Sequence, residues 1–275
     1  MQRADDALYV AKRRSGPGAR ICIADDGRTR SGPQWADVLP HLIESGGVGA
    51  MFQPIVWLDG RSVLGHEAIL HPLGSGALDD VRGLHAAAQR LSLSRDLDVQ
   101  YAEASIAAAR ALPAAQPVFL NIGLGTLIDP DNEVTRLRSL LAHAGRQPSS
   151  VVLELSESIN DLRRFEAAFA CFRSAGFRFA LKEIGQGHST LEALSVVNPD
   201  FLKVSRRLTA MDSPSALATL QALVAFAGAN AAVVIVEGVD DDGSLDRLIG
   251  LGIPCGQGVA LGAPAWLHDD AQLSA

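Results

Sequence analysis

Short apolar runs alternate with longer stretches in which apolar residues recur every three or four positions, from about residue 36 onward. The short runs, such as VVLEL at 151–155 and AVVIVE at 232–237, predict strands buried on both faces, whereas the longer stretches predict helices. The predicted strands are 51–56, 62–70, 118–122, 151–155, 177–182, 201–204, 232–237 and one that starts near 253. The predicted helices are 35–44, 80–93, 96–112, 133–144, 160–175, 189–197, 214–228 and 241–250.

This repeated alternation of strand and helix predicts an α/β fold. The number of units favours a closed, TIM-like (β/α)₈ barrel over an open parallel sheet. Leu58-Asp59-Gly60 separates the first two strands and is typical of a hairpin turn. We therefore expect one strand of the barrel to run antiparallel to the others.

The N-terminal segment is expected to be separate from the barrel. Residues 3–14 predict a short amphipathic helix and residues 19–24 a strand, followed by a polar linker rich in Asp, Gly and Ser. A piece of this length is too short to fold alone. The predicted division is residues 1–30 as a helix, strand and linker, and residues 31–270 as the barrel.

Composition excludes some classes of partner. The 275 residues include 24 basic and 31 acidic side chains, so the chain offers no basic field for nucleic acid or an anionic membrane. Cys22, Cys171 and Cys255 match no zinc or redox spacing. No apolar run reaches the roughly 18 residues of a membrane helix, and the N-terminus does not resemble a signal peptide. We expect a cytoplasmic protein that binds neither nucleic acid nor membranes.

Polar side chains stand at the carboxyl ends of successive predicted strands. Parallel barrels place their functional groups at this end, so we expect these side chains to converge on one site. They could hold hard divalent cations and activate water for phosphoryl chemistry, or form a self-neutralised polar cluster without a metal. The residues are Glu67, Asn121, Glu154, Glu157, Lys182, Glu183, Lys203, Glu237 and Gln257.

Seven sequence motifs follow one another in a specific order. They are FQPIVWLDGRSVLGHEAIL, FLNIGLGTL, ELSES, ALKEIGQGHSTLEAL, NPDFLKVS, VEGVDD and GQGVALGAP. In this order the set, which covers about 38–267, resembles the EAL family of bacterial cyclic-di-GMP phosphodiesterases. ADDALYVAK, near the N-terminus, resembles the last helix of a GGDEF (diguanylate cyclase) domain, of which only the tail is present.

The resemblance implies a role for each matching residue. Enzymes of the family use two Mg²⁺ or Mn²⁺ ions to activate the water that opens cyclic di-GMP to linear pGpG. By position, Lys203 matches the lysine near the attacking water, Gln257 a residue that supports the site, and Glu157 a carboxylate that orders a loop. The matching metal ligands are Glu67, Asn121, Glu154 and Glu237. The matching ligand-binding positions are Gln53, Leu70 and His71.

The departures from the family pattern fall at the chemistry. The paired aspartates of the family appear here as Lys182-Glu183, which removes a metal ligand and introduces an ammonium group. Lys182 could turn outward, or lie among the carboxylates and take the place of a metal ion. His71 stands where the family usually has an arginine that grips a phosphate, and a histidine lacks the bidentate fork of arginine.

Three functions stay open on the sequence. The first is a degenerate EAL domain that no longer catalyses and acts as a regulatory module, binding cyclic di-GMP or a protein. The second is an active, metal-dependent phosphodiesterase in which Glu183 replaces the lost aspartate and acts with Lys203, Glu237 and Gln257. The third is a remnant without a ligand. The resemblance also implies a homodimer as a candidate assembly.

Overall fold

A computed structural model of the chain describes residues 35–73, 81–156, 162–185 and 190–267. Contacts divide the chain into residues 1–32 and residues 33–275, and every described residue belongs to the second unit. The helix and strand predicted for residues 3–24, together with Cys22 and Glu157, lie outside the described residues, so these expectations stay predictions.

Eight strands close into a barrel in sequence order. The first strand runs antiparallel to both its neighbours, the second and the eighth, while the other neighbouring pairs are parallel. This confirms the predicted TIM-like barrel with one antiparallel strand. The strands are β1 Val48–Trp57, β2 Val63–Pro72, β3 Val118–Asn121, β4 Val151–Ser156, β5 Arg178–Ile184, β6 Phe201–Val204, β7 Val233–Glu237 and β8 Cys255–Gln257.

Helices surround the barrel near the predicted positions, with boundaries set by local capping. The predicted helix at 133–144 begins earlier, at Pro130, because proline suits a first helical turn. A single turn at 206–209 was not predicted, and the Ser205 hydroxyl caps it by accepting from the Leu208 amide. The helices are α1 Trp35–Glu44, α2 Val81–Arg90, α3 Ser94–Ala108, α4 Pro130–His143, α5 Glu166–Ser174, α6 Thr190–Val197, α7 Arg206–Thr209, α8 Pro214–Ala229 and α9 Asp242–Gly250.

The core has two layers. A large apolar cluster joins the outer faces of the strands to the helices. A smaller cluster fills the barrel itself and takes one buried side chain from most of the strands. Its members are Ile55, Phe119, Val152, Ala180, Phe201, Ile235 and Cys255. Because both faces of the strands are buried, the strands read as nearly continuous apolar runs.

None of the helices in the described ranges is both long enough and apolar enough to span a bilayer.

Candidate functional site

A ring of polar side chains lies directly above the apolar plug of the barrel. Side chains alternate between the two faces of a strand, so the residue two positions nearer the mouth than each plug residue also faces the barrel axis. That residue is polar in each strand that contributes to the plug, and Glu67 of β2 completes the set. From β1 to β8 the ring consists of Gln53, Glu67, Asn121, Glu154, Lys182, Lys203, Glu237 and Gln257. We call these eight residues the mouth ring.

Lys203 lies at the centre of the carboxylates of the mouth ring. Its ammonium Nζ donates to Glu67 Oε2 at 2.7 Å and to Glu154 Oε1 at 2.8 Å, and it lies 3.5 Å from Glu237 Oε1. The Lys203 and Glu154 side chains are fully buried. One cation therefore joins carboxylates from three strands.

The charges of this cluster shift its pKa values in different directions. Burial would raise the pKa of Glu67, but Lys203 and Lys182 together lower it to about 2. Burial and the neighbouring Glu67 raise the pKa of Glu154 to about 7, although Lys203 opposes this shift. Burial opposes the charge of Lys203, yet the three carboxylates raise its pKa above the usual value. The lowered pKa of Glu67 and the raised pKa of Lys203 both favour the charged forms of this pair.

Lys182 points into the barrel mouth and does not turn outward. Its ammonium group donates to Asn121 Oδ1, and Asn121 Nδ2 donates to Glu67 Oε1 at 3.3 Å. One alternative placed Lys182 among Glu67, Glu154 and Glu237. Lys203 occupies that position instead. Lys182 is half-buried, so its charge faces both the ring and the space above it.

A β-bulge interrupts β5 directly after Lys182. Leu181 pairs with Leu202 and Ile184 with Val204, so β5 contains one more residue than β6 between these two pairs. The extra residue leaves Glu183 with a φ of 64°, a left-handed conformation that is uncommon for a glutamate. The Ser156 hydroxyl donates to the Glu183 carboxylate. Lys182 faces the axis because it lies two residues beyond Ala180, and the bulge turns Ile184 to the outer apolar cluster and leaves Glu183 beside the end of β4.

Gln257 holds Glu67 from the other side and is itself bonded to Gln53. Gln257 Nε2 donates to Glu67 Oε2 at 2.8 Å and to Gln53 Oε1 at 3.2 Å. Gln53 Nε2 in turn donates to the Gly262 carbonyl oxygen at 3.0 Å. These bonds connect the first, second and eighth strands across the point where the barrel closes.

A cavity of about 670 Å³ opens beside the mouth ring, toward α2 and α3. Glu67, Asn121 and Lys182 line it from the ring, and Glu183 and Leu70 also contribute to its wall. These five residues were all predicted to belong to the site, and the structure brings them together here.

The cavity also takes residues from helices, which the reasoning from strand ends did not predict. Asp98 and Tyr101 are three residues apart on α3, and His85 lies on α2. The Tyr101 hydroxyl donates to the Ala68 carbonyl oxygen at 2.5 Å, and Asp98 Oδ2 accepts from the Gly123 amide at 3.2 Å. Burial raises the pKa of Asp98 to about 6. Their spacing of one helical turn was the available signal, but many helices with a buried face show the same spacing.

His71 lies farther out along β2 than the mouth ring. Its imidazole packs edge-on against the Trp266 indole, with ring centroids 5.2 Å apart and an interplanar angle of 88°. His71 therefore contacts an aromatic ring at the rim of the barrel, at the position where the EAL pattern has a phosphate-binding arginine.

A model of one protein family, described as the EAL domain, matches residues 36–264. The chain belongs to the EAL domain family. This EAL domain is 29% identical over 252 residues to the cyclic di-GMP phosphodiesterase RocR of Pseudomonas aeruginosa, and the match covers 84% of the chain and 61% of RocR. It spans less than two thirds of the length of the first curated relatives that it matches.

Solved structures support the same fold. A cyclic-di-GMP complex of the PaMucR phosphodiesterase matches 87% of the EAL domain chain and 99% of its own chain, with 21% identity and a TM-score of 0.76. A manganese and cyclic-di-GMP complex of BlrP1 from Klebsiella pneumoniae matches 80% of this chain and 56% of its own, with 25% identity and a TM-score of 0.72.

The ring of this EAL domain has the oxygen donors that Mg²⁺ and Mn²⁺ prefer, but Lys182 adds an ammonium group where the family pattern has a metal-binding aspartate. Asn121 Oδ1 accepts from Lys182, while Glu67 and Glu154 accept from Lys203. The carboxylates of Glu67, Glu154 and Glu237 and the ammonium groups of Lys182 and Lys203 sum to a formal charge of −1, against the +4 of two divalent ions. By this arrangement of charges, the residues do not fit a pair of divalent cations.

Proposed function

We propose that this EAL domain binds cyclic di-GMP without hydrolysing it and acts as a regulatory module. One observation carries the proposal: the Lys182 ammonium group bonds to Asn121, at the position where the family pattern has a metal-binding aspartate. A unit charge pair at about 4 Å is worth ~4 kcal/mol at an effective dielectric of 20. Reversing the charge beside a divalent ion changes its binding by several times that amount.

The same lysine supports binding of an anionic ligand. Lys182 is half-buried at the edge of a cavity of about 670 Å³, a volume typical of small-molecule sites. Cyclic di-GMP carries two phosphodiester anions, and an ammonium group in a partly enclosed site favours them. Relatives with this fold are known as cyclic-di-GMP complexes. We infer that the positive charge of Lys182 replaces part of what the metals provide in active relatives.

The test is calorimetric titration of the full chain with cyclic di-GMP, with and without Mn²⁺, followed by chromatography of the mixture for pGpG. We expect binding that Mn²⁺ changes by less than about twofold, and no pGpG. Appearance of pGpG only with Mn²⁺ would overturn the proposal and favour the alternative in which Glu183 restores an active phosphodiesterase. Absence of binding would leave the protein-interaction function.

Two substitutions at position 182 distinguish the effect of removing the ammonium charge from the effect of adding a carboxylate that can bind a metal. Lys182→Asp removes the ammonium group and supplies a carboxylate, so we expect Mn²⁺ affinity to rise at least tenfold in a direct titration with the metal. Lys182→Gln removes only the charge and is the matched control, for which we expect a smaller gain. Equal Mn²⁺ affinity in the wild type and Lys182→Asp would show that Lys182 does not exclude the metal.

A further inference from the structure

An aromatic surface lies on the rim of the barrel mouth, outside the site described above. Trp266, in the segment after β8, is 40% exposed, and Leu73, just beyond β2, is 44% exposed. The His71 imidazole, on β2, packs against the Trp266 indole in a T-shaped arrangement. We call Trp266, His71 and Leu73 the rim platform.

The backbone holds Trp266 in a fixed position. Phe52 and Ala265 exchange two backbone hydrogen bonds, of 2.7 Å and 3.0 Å, so the residue before Trp266 is tied to β1. A Cβ atom at Gly49 would come within 3.0 Å of Trp266 Cζ3 and 3.1 Å of Trp266 Cη2. The indole therefore lies on a strand position where only glycine leaves room for it. A large ring that is ordered before binding loses little entropy when a ligand contacts it.

The rim platform and the mouth ring share one face of the β1–β2 hairpin. Gln53 pairs with Glu67, and Gly49 pairs with His71, four residues farther along the same two strands. At about 3.3 Å per residue, the two positions are roughly 13 Å apart. Met51 and Ile69 lie between them on the same face, and both are half-buried. An apolar path therefore leads from the polar site to Trp266.

We propose that Trp266 is a base-stacking platform, which receives a purine base of a nucleotide whose phosphate lies near Lys182. The inference rests on the proposed function and adds to it the residue that recognises the base. A half-exposed, immobilised indole offers a flat π surface, and stacking on an aromatic side chain is a common way to hold a nucleobase. The imidazole of His71 supports that surface, which accounts for a histidine at this position.

The experiment compares the cyclic-di-GMP affinity of Trp266→Ala, Trp266→Phe and the wild type by calorimetry. Loss of a stacked base weakens binding about fivefold or more, so we expect at least this loss for the alanine variant. Phenylalanine keeps a π surface and should stay within about threefold of the wild type. Ile249→Ala is the matched control, since Ile249 on α9 is 44% exposed and lies away from the mouth. We expect its affinity to be unchanged.

Tryptophan fluorescence provides a second readout that needs no alanine variant. Trp35 is 7% exposed and Trp57 is half-buried, so the change on stacking should come from Trp266. We expect cyclic di-GMP to quench the wild-type emission and to leave that of Trp266→Phe nearly unchanged.

The outcomes distinguish this inference from the proposed function. Wild-type affinity in a folded Trp266→Ala variant, with unchanged quenching, would overturn the platform and leave cyclic-di-GMP binding intact. No binding by the wild type would overturn both. A loss of binding in Trp266→Ala that Trp266→Phe shares in full would overturn stacking and indicate that the indole is needed for the local fold.

Discussion

Two lysines of the same ring have opposite surroundings. Lys203 is fully buried and bonded to carboxylates, so its charge is neutralised within the barrel. Lys182 is half-buried and bonded to an amide oxygen, so much of its charge remains available to an incoming anion. The first lysine is bonded within the fold, and the second is the one that meets the anionic ligand in the proposed function.

A third charged residue, Asp98, predicts a pH-dependent stability. Burial raises the pKa of Asp98 from 3.8 to about 6, so the folded state binds a proton more tightly than the unfolded state. The contribution of Asp98 to the free energy of unfolding of the wild type is therefore greatest at low pH and falls as pH rises from about 4 to above 6. The substitution Asp98→Asn keeps a side-chain oxygen that can accept from the Gly123 amide, but it carries no charge. We expect the melting temperature of this variant to exceed that of the wild type at pH 7.5 and to approach it at pH 4.

Asp96→Asn is the control for this measurement, because Asp96 lies exposed on the same helix. Its melting temperature should follow that of the wild type at both pH values. A constant difference between Asp98→Asn and the wild type across this range would show that Asp98 does not carry a buried charge.

At the scale of elements, the ends of α3 and α4 are joined by one buried arginine. Arg146, just after α4, is 3% exposed and its guanidinium group donates to backbone carbonyl oxygens in the connection that follows α3. The acceptors are those of Ala109, Leu112, Pro113 and Gln116. Ala109 and Pro113 also accept from backbone amides, and the Arg146 guanidinium group supplies the further donors for this connection.

Arg146→Ala should therefore destabilise the protein by about 3 kcal/mol, because several carbonyl groups would lose a donor in a buried place. The measurement is the free energy of unfolding in urea, followed by circular dichroism. Arg138→Ala, an exposed change on α4, should cost less than about 0.5 kcal/mol. Similar losses in the two variants would contradict the role given to Arg146.

The elements also show what the sequence could and could not predict. The ring positions followed from strand ends, because a strand of period two places alternate side chains at the mouth. The bond from Lys182 to Asn121 did not follow, because a long lysine side chain at a ring position can also bend outward, and the bulge at Glu183 did not follow because no turn residue marks it. Tyr101 reaches the cavity, and Trp266 reaches the rim, through contacts distant in sequence, so no local pattern identified them.

At the scale of the whole molecule, Lys203 connects strands that are far apart in the chain. Its bonds reach Glu67 on β2 and Glu154 on β4, and its charge lies near Glu237 on β7. Each carboxylate is drawn toward the axis of the barrel by the same cation. The polar ring is thus both the candidate ligand site and a part of what closes the barrel.

Lys203→Met keeps the volume of the side chain and removes the charge, which leaves these carboxylates without their cation. Breaking a buried ion pair from one side costs about 3–5 kcal/mol, so we expect a loss of this size at pH 7.5 in urea unfolding. The loss in free energy of unfolding should be smaller at pH 5, because the carboxylates left without a cation bind protons as pH falls. Lys182→Met is the control and should cost about 1 kcal/mol, since it removes one bond from a half-buried group. Equal losses for the two lysines would refute this division of roles.

The position of residue 182 on β5 also has a consequence for protein engineering. The strand backbone, and not the lysine, sets the inward direction of position 182, because this position lies two residues beyond Ala180 on the face that lines the barrel. A saturation library at this codon would therefore display each new side chain toward the same space. Unnatural amino acids that carry a chelator, a fluorophore or a photocrosslinker could be incorporated at position 182. Each would place its chemical group at the barrel mouth without any other change to the protein.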